Sequence, residues 1–262
     1  MVSLSNNYSK KEVLITKIII VPAKKMRIDP DSFPVQTQPQ YRRQTAQILA
    51  RLRQLSYDEV RTLWQCSDKI AKPNYQWLQE MDLTHRQTPA LFSYSGLQYS
   101  YMAPDIFTQP ALDYAQNNLR ILSGFYGILR PFDGIVPYRL EMQAHLQVEH
   151  KADLYAYWGN QLYQALTPRP EPIVNLASLE YAKAIRPYLS PGQAMIDVVF
   201  ASQINGRLKT KATLAKMARG AMVRFLAEHQ ITAPTDLKYF DHPDYRFDKT
   251  MSTPTKFIFV HH

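Results

Sequence analysis

Six cations stand close together near the C-terminal third of the chain, at spacings suited to holding a polyanion. Asn205-Gly206 is followed by Arg207, Lys209 and Lys211, then by Lys216, Arg219 and Arg224. On a strand, alternate side chains share a face, so Arg207, Lys209 and Lys211 fall together opposite Leu208, Thr210, Ala212 and Leu214. Three cations at that spacing meet solvent or a polyanion. In the helix expected next, at about 100° per residue, Lys216, Arg219 and Arg224 lie opposite Leu214, Met217, Ala218, Ala221 and Phe225. Gly220 falls on the basic side, where glycine costs about 1 kcal/mol of helix propensity relative to alanine. Close approach of a phosphate or of a neighbouring backbone, or tight internal packing, would account for it.

A second group of candidates lies in residues 118–142, where Arg120, Arg130 and Arg139 sit among glycines, prolines and aromatics. Arginine in such surroundings needs an anionic partner, so internal pairs with Asp133 or Glu141 compete with a ligand. A rival use of the neighbouring polar residues is enzymatic: Tyr138, Arg139, Glu141, Asn175, Ser178 and Glu180 would converge on a nucleotide or nucleobase-like molecule, with Glu141 or Glu180 as acid or base. A pocket burying those side chains together favours this use. An open groove favours binding of a duplex.

Other chemistries are poorly supported. There is no phosphate loop, no Gly-x-Ser-x-Gly elbow and no dinucleotide fingerprint. His145 and His150 are five residues apart, a poor spacing for shared metal ligation on a helix. Neither a metal nor a cofactor is expected. Cys66 is the single cysteine, so no intrachain disulfide can form and a reducing, cytoplasmic setting is expected. No apolar run approaches the ~20 residues that span a bilayer.

The charge is unevenly placed. Lys and Arg number 31 against 22 for Asp and Glu, a net +9. Residues 10–27 hold six cations and one acid, and residues 205–229 hold the same. The excess is therefore confined to two windows, and if these meet in space they form one basic face. Nucleic acid is the partner such a face suggests.

The elements that must position these residues follow from pattern. Residues 1–10 read as a disordered polar leader, and 13–21 as a buried central strand ended by Pro22. Residues 41–55 form a helix with Thr45, Ile48, Leu52 and Leu55 inward. Ser56-Tyr57-Asp58-Glu59 has capping-box spacing and starts a second helix, 58–71, with Ile70 on its inner stripe and Pro73 as its stop. Pro110 opens a third helix, closed at Gly124 in a left-handed conformation. A fourth contains Leu154, Trp158, Leu162 and Ala165. Residues 173–176 form a short buried strand, and Ser178 caps a short helix ended by Pro187. Asn205-Gly206 is the pair favoured by a two-residue type I′ hairpin, joining strands 195–204 and 207–214.

Residues 118–142 resemble the signature of the YaaA family, bacterial proteins linked to hydrogen peroxide stress. Further resemblances are Pro22-Ala23-Lys24, Ser67-Asp68-Lys69-Ile70-Ala71, Asp153-Leu154-Tyr155 with Trp158-Gly159, Asn175-Leu176-Ala177-Ser178 with Glu180-Tyr181, and Ala215-Lys216 with Ala218-Arg219-Gly220 and Arg224-Phe225. The resemblance implies an α+β fold in one domain over residues 11–262, a mixed β-sheet wrapped by helices, with a basic cleft. It also implies a helix-hairpin-helix element that binds duplex DNA, and a role in limiting iron-dependent peroxide damage. The element fits either the helix pair 41–55 and 58–71 or the glycine-containing segment 122–133. Lys24, Arg120, Arg130, Arg139 and Lys183 are expected in one cleft, since the best-matching motifs contain all five. The leading expectation is thus a monomeric DNA-binding protein rather than an enzyme, contacting phosphates with little base readout. The chain departs from the family pattern at Val21, where Ser is usual, at Leu97 after Gly96, where Asp is usual, and at Gln203 and Asp244. If the usual groups at those positions form a catalytic or ligand site in relatives, the departures imply that this chain has lost or changed that role while keeping the scaffold.

Overall fold

Ile18, Ile19 and Ile20 are all buried to within 1%, which requires cover on both faces of the strand they form. That is the environment of a central parallel strand, and the computed structural model places them there. It describes residues 17–166 and 171–262; the leader 1–10 and the first part of the strand expected over 13–21 lie outside the described residues.

The chain begins with β1 (Lys17–Ile20) and the short β2 (Lys25–Met26), then α1 (Arg42–Arg53), α2 (Tyr57–Trp64) and α3 (Asp68–Glu80). A compact stretch follows: β3 (Thr88–Pro89), α4 (Ala90–Ser93), β4 (Tyr94–Ser95) and α5 (Leu97–Met102). Next come α6 (Gln109–Asn118), β5 (Leu119–Ser123), β6 (Gly127–Leu129), β7 (Gly134–Ile135), α7 (Leu154–Trp158) and α8 (Gln161–Leu166). The last part holds β8 (Ile173–Asn175), α9 (Leu179–Ala182), β9 (Met195–Ile204), β10 (Arg207–Lys209), α10 (Ala212–Glu228), β11 (Tyr245–Phe247) and β12 (Lys256–His261).

The main sheet runs β11-β12-β9-β8-β1-β5-β6, with β10 paired to β9. β12, β9, β8, β1 and β5 are mutually parallel, whereas β11, β6 and β10 join antiparallel at their partners. The fold is α+β in one body with a mixed sheet, as expected. From β1 the chain moves to β5 on one side and later to β8 on the other. Crevices beyond the carboxyl ends of strands at such a reversal are where open α/β sheets bind ligands.

Several expected boundaries move. The capping box at Ser56 is present, with Glu59 N–H donating to Ser56 Oγ and Ser56 N–H donating to Glu59 Oε2 at 2.7 Å. The helix it starts ends at Trp64, because Gln65 turns left-handed at φ 44°. Asp68–Glu80 then forms a new helix with Pro73 inside it. Proline there removes a single intrahelical donor, and burial of Ala71 and Leu78 holds the helix together across it, while Ile70 is exposed. The helix opened by Pro110 ends at Asn118, and 119–123 extends as β5. Gly124 is therefore not a left-handed cap: a Cβ there would lie 2.9 Å from the backbone of Glu141, so its role is close passage of two chain segments. The helix expected across 154–165 breaks at Gly159 into α7 and α8. Asn205 and Gly206, at φ 51° and 72°, make the expected hairpin, but β10 stops at Lys209 and the helix begins at Ala212. Segment 122–133 holds the end of β5, all of β6 and the turn after it, with no helix, so it is not a helical DNA-binding hairpin.

α10 also differs from its expected stripe. Ala215, Ala218, Met222, Val223, Leu226 and Ala227 are buried, whereas Leu214, Met217, Ala221 and Phe225 are only half-buried. The helix packs on α5, α6 and β9 together, so its inner surface is wider and rotated from the stripe read by pattern. Gly220 is inside: a Cβ there would meet the Gln98 carbonyl oxygen at 2.1 Å. The neighbouring backbone of α5, and not a phosphate, accounts for this glycine.

A cation-rimmed pocket at the end of the parallel strands

The segment leaving β1 is fixed by α5 and β4. Lys25 pairs with Ser95 across β2 and β4, Tyr99 Oη donates to the Val21 carbonyl at 2.9 Å, and Arg27 Nε donates to the Phe92 carbonyl at 2.7 Å. Val21–Lys25 thereby forms one wall of a cavity of about 520 Å³. A second wall comes from Tyr138–Glu141, brought in by the close passage at Gly124. Ser178, Glu180 and Tyr181, just after β8, form the third. α5 contributes Leu97, Gln98 and Tyr99, and α10, seated on α5 by Gly220, contributes Lys216 and Arg219.

Five cations line this cavity, Lys24, Lys25, Arg139, Lys216 and Arg219, against two carboxylates, Glu141 and Glu180. Glu141 is neutralised by Lys24, whose Nζ is 2.5 Å from Oε1. Glu180 accepts from the Gln143 N–H at 3.2 Å. Burial, with Glu141 nearby, pushes the Glu180 carboxyl above its ordinary value despite that hydrogen bond. A smaller hollow of about 110 Å³ shares Lys24, Arg139 and Glu141 and reaches Trp64 and Gln65 at the end of α2.

Several polar atoms at the cavity are buried without a partner among the described residues: Nε2 and Oε1 of Gln98, and Nε of Arg139 and of Arg219. Burial also holds the Arg219 guanidinium below its ordinary value. Behind the cavity, Tyr138 Oη bonds to Ser123 Oγ at 2.7 Å and to Tyr94 Oη at 2.8 Å. Burial pushes the Tyr138 hydroxyl up to about 12, so it remains protonated and acts as a hydrogen-bonding group.

Of the enzymatic candidates, Tyr138, Arg139, Glu141, Ser178 and Glu180 meet in this cavity. Asn175 does not: its Nδ2 donates to Asp197 Oδ1 at 2.7 Å and its Oδ1 accepts from the Ala177 N–H at 3.0 Å, which fixes the turn after β8. The five cations expected in one cleft are separated. Lys24 and Arg139 line the large cavity, whereas Arg120 and Arg130 line another, with Gln40, Ile128 and Asp133. Arg120 is turned back on the Gln116 and Leu119 carbonyls at 3.0 and 2.7 Å, and burial lowers its guanidinium to about 10. Arg130 is paired with buried Asp133 at 3.2 Å, so of the two internal partners considered Asp133 is used in this way and Glu141 is taken by Lys24. Lys183 lies over the Tyr155 ring at 4.5 Å, outside the cavity.

Nor do the six cations of the β10–α10 region form one exposed row. Arg207, Lys209, Lys211 and Lys216 are exposed. Arg219 is half-buried at the cavity, because α10 turns that flank toward α5, and Arg224 is held by Glu228 at 2.8 Å. Pattern reading did not single out Lys25, Gln98, Tyr99 or Tyr181 as site residues. Tyr181 stood within a matching motif, and Gln98 follows the Gly96-Leu97 departure; Val21 and Leu97, two of the four departures, line the cavity. Gln203 and Asp244 are not among its lining residues.

Among the described residues no cluster of His, Cys, Asp and Glu could hold a metal ion, and no helix is long and apolar enough to cross a membrane. A family model described as peroxide stress protein YaaA matches residues 16–251. A UPF0246 protein of Lactiplantibacillus plantarum is 70% identical over 245 residues, covering 94% of this chain and 99% of the relative. A UPF0246 protein of Lacticaseibacillus paracasei is 58% identical, covering 93% and 99%, and one of Agathobacter rectalis is 45% identical, covering 93% and 98%.

Proposed function

The chain belongs to the peroxide stress protein YaaA family, and from that membership we propose that it binds duplex DNA in the cytoplasm during the response to peroxide, limiting iron-dependent damage there. The observation that carries the DNA partner is the convergence of Lys24, Lys25, Arg139, Lys216 and Arg219 on one opening. The exposed cations Arg207, Lys209 and Lys211 lead into the same helix that supplies Lys216. Lys24 and Lys25 come from the first basic window of the sequence and Lys216 and Arg219 from the second, so part of each window contributes to this opening. A duplex lies across such a surface by its phosphates, which positions the protein without reading sequence.

Arg120 and Arg130 line a different cavity, and Arg224 is not among the residues of this opening and pairs with Glu228 on the surface, so none of the three is assigned to it. The helix pair α1 and α2 joins across Gln54–Ser56 without a glycine, and its apolar residues Ile48, Leu49, Leu52 and Val60 are buried in the core. The DNA contact therefore falls to the cation-rimmed opening and the β10–α10 segment.

Fluorescence anisotropy with a labelled duplex at several salt concentrations tests this reading. The expected result is a linear fall of log K with log salt, at about −0.9 per phosphate neutralised, nearly equal for unrelated sequences. Absence of binding at low salt overturns it.

A further inference from the structure

We propose that the cavity under the cationic rim seats one nucleotide, its phosphate at Arg139, Arg219 and Lys216 and its base against Gln98 and the tyrosine walls. This deepens the DNA-binding reading, on which it rests only for the source of the nucleotide. The shared chemistry is a phosphate attached to a flat, nitrogen-bearing ring, delivered either as a free mononucleotide or as a residue turned out of a strand.

Three observations carry it. First, the cavity of about 520 Å³ falls within the roughly 300–1,000 Å³ of small-molecule sites. A duplex, whose major groove alone is about 12 Å wide, rests on the rim but does not enter such a space. Second, Gln98 is 4% exposed and, among the described residues, both the donor and the acceptor of its amide lack partners. Leaving both buried and unmet is costly. A neighbouring donor and acceptor on one planar edge is what a nucleobase presents, and it is the pattern that glutamine reads in pairs. Third, the Nε donors of Arg139 and Arg219 are also buried and unmet, while Lys24 is spent on Glu141. Two guanidinium groups at the cavity thus carry unmet donors, and guanidinium geometry suits phosphate oxygens.

Of the two carboxylates, Glu141 is already paired with Lys24, and Glu180 is partly buried, which raises its carboxyl above the ordinary value. Tyr99, Tyr138 and Tyr181 give apolar wall surface with hydroxyl groups that remain protonated. Sugar phosphates and inorganic phosphate satisfy the guanidinium groups and leave Gln98 unmet. A base without a phosphate does the reverse.

The test is calorimetric titration of the full chain with each of the four deoxynucleoside 5′-monophosphates, with the corresponding nucleosides and with inorganic phosphate. Alongside it runs anisotropy with a fully paired duplex and with the same duplex carrying one unpaired nucleotide. The expected result is mononucleotide binding at least about tenfold tighter than phosphate or nucleoside alone, from two or more buried hydrogen bonds. Gln98→Leu, which keeps the volume and removes the unmet amide, should fold and abolish the preference for nucleotide over phosphate. A gain for the unpaired duplex that Gln98→Leu removes identifies the strand as the source, and binding of mononucleotides without that gain identifies free nucleotides. Either supports the site. Equal affinity for phosphate and nucleotides, or no binding of either together with no gain from the unpaired residue, overturns it. Loss of paired-duplex binding with mononucleotide binding intact overturns the DNA reading and leaves this one standing, so the two failures are distinguishable.

Discussion

Replacing Gly220 by alanine is the sharpest test of how α10 brings cations to the cavity. In an open helix this change stabilises, because alanine exceeds glycine by about 1 kcal/mol in helix propensity. Here the added methyl would stand 2.1 Å from the Gln98 carbonyl oxygen and 3.0 Å from the Met102 nitrogen, where ordinary contact needs at least 3.4 Å. Both obstacles are backbone atoms of α5, so no side-chain rotation relieves them and the helices must separate. Overpacking of this kind costs about 1–3 kcal/mol, and rigid backbone neighbours place it at the upper end. After the propensity gain the net loss is about 2 kcal/mol. For a chain of this size that lowers the melting midpoint by roughly 4–8 °C. Lys216 and Arg219 would move off the rim with the helix, so duplex affinity at low salt falls as well. Thermal or urea unfolding of Gly220→Ala beside the parent checks the first effect, and anisotropy the second. An unchanged or raised midpoint would refute the reasoning, because it would mean that α10 and α5 are not in backbone contact.

Lys209→Ala with Lys211→Ala should flatten the salt dependence of duplex binding by about 2 in slope, equally for unrelated sequences and without loss of stability, since both side chains are exposed; an unchanged slope in the folded double variant removes β10 from the contact surface. Asp133→Ala should destabilise by about 3 kcal/mol in urea titration, because the buried carboxylate accepts from Thr37 Oγ1 at 2.6 Å and from the Arg130 backbone at 2.8 Å and pairs with its guanidinium; a loss under about 1 kcal/mol would contradict that accounting. Glu180 gives a pH signature: its carboxyl is raised above the ordinary 4.5 in the fold, so between the two values the folded chain binds more protons than the unfolded one. Stability contributed by this group is then full below the ordinary value and lost as pH rises through the folded value. Glu180→Gln should remove that decline and be at least as stable as the parent at neutral pH; a parallel pH profile for parent and variant counts against it.

Local signals in the chain were those confined to a few residues. The capping box at Ser56 and the Asn205-Gly206 turn depend on side chains and dihedrals within four positions, and both stand where pattern put them. The central place of Ile18–Ile20 was likewise readable, because an apolar run without alternation needs cover on two faces. What pattern missed was set by contacts across the fold. Gly220 reads on the helical wheel as a glycine on a basic flank; only α5, more than a hundred positions earlier in sequence, shows that this flank is buried. The same holds for Gly124, whose neighbour is the Glu141 backbone. Arg120 and Arg139 look equivalent in sequence, yet one is a strand residue folded onto carbonyls and the other faces a cavity.

The position of the cavity follows from the sheet more than from the charges. β1 is flanked by β8 and β5, and the chain leaves its carboxyl end toward one neighbour and returns through the other. The turns after β1 and β8 must therefore diverge, and the gap between them is a place where side chains from both meet. Val21–Lys25 and Ser178–Tyr181 are those turns. Given that gap, α5 and α10 act as a paired wall whose separation is fixed by one glycine, and every cation on α10 that reaches the cavity does so within four residues of it: Lys216 one turn before and Arg219 adjacent. Arg224, one turn after, is not among the cavity's lining residues and pairs with Glu228. Lys216 and Arg219 thus owe their place at the cavity to a close helix contact, which is why a substitution that adds only a methyl group, far smaller than a charge reversal, should perturb binding and stability together.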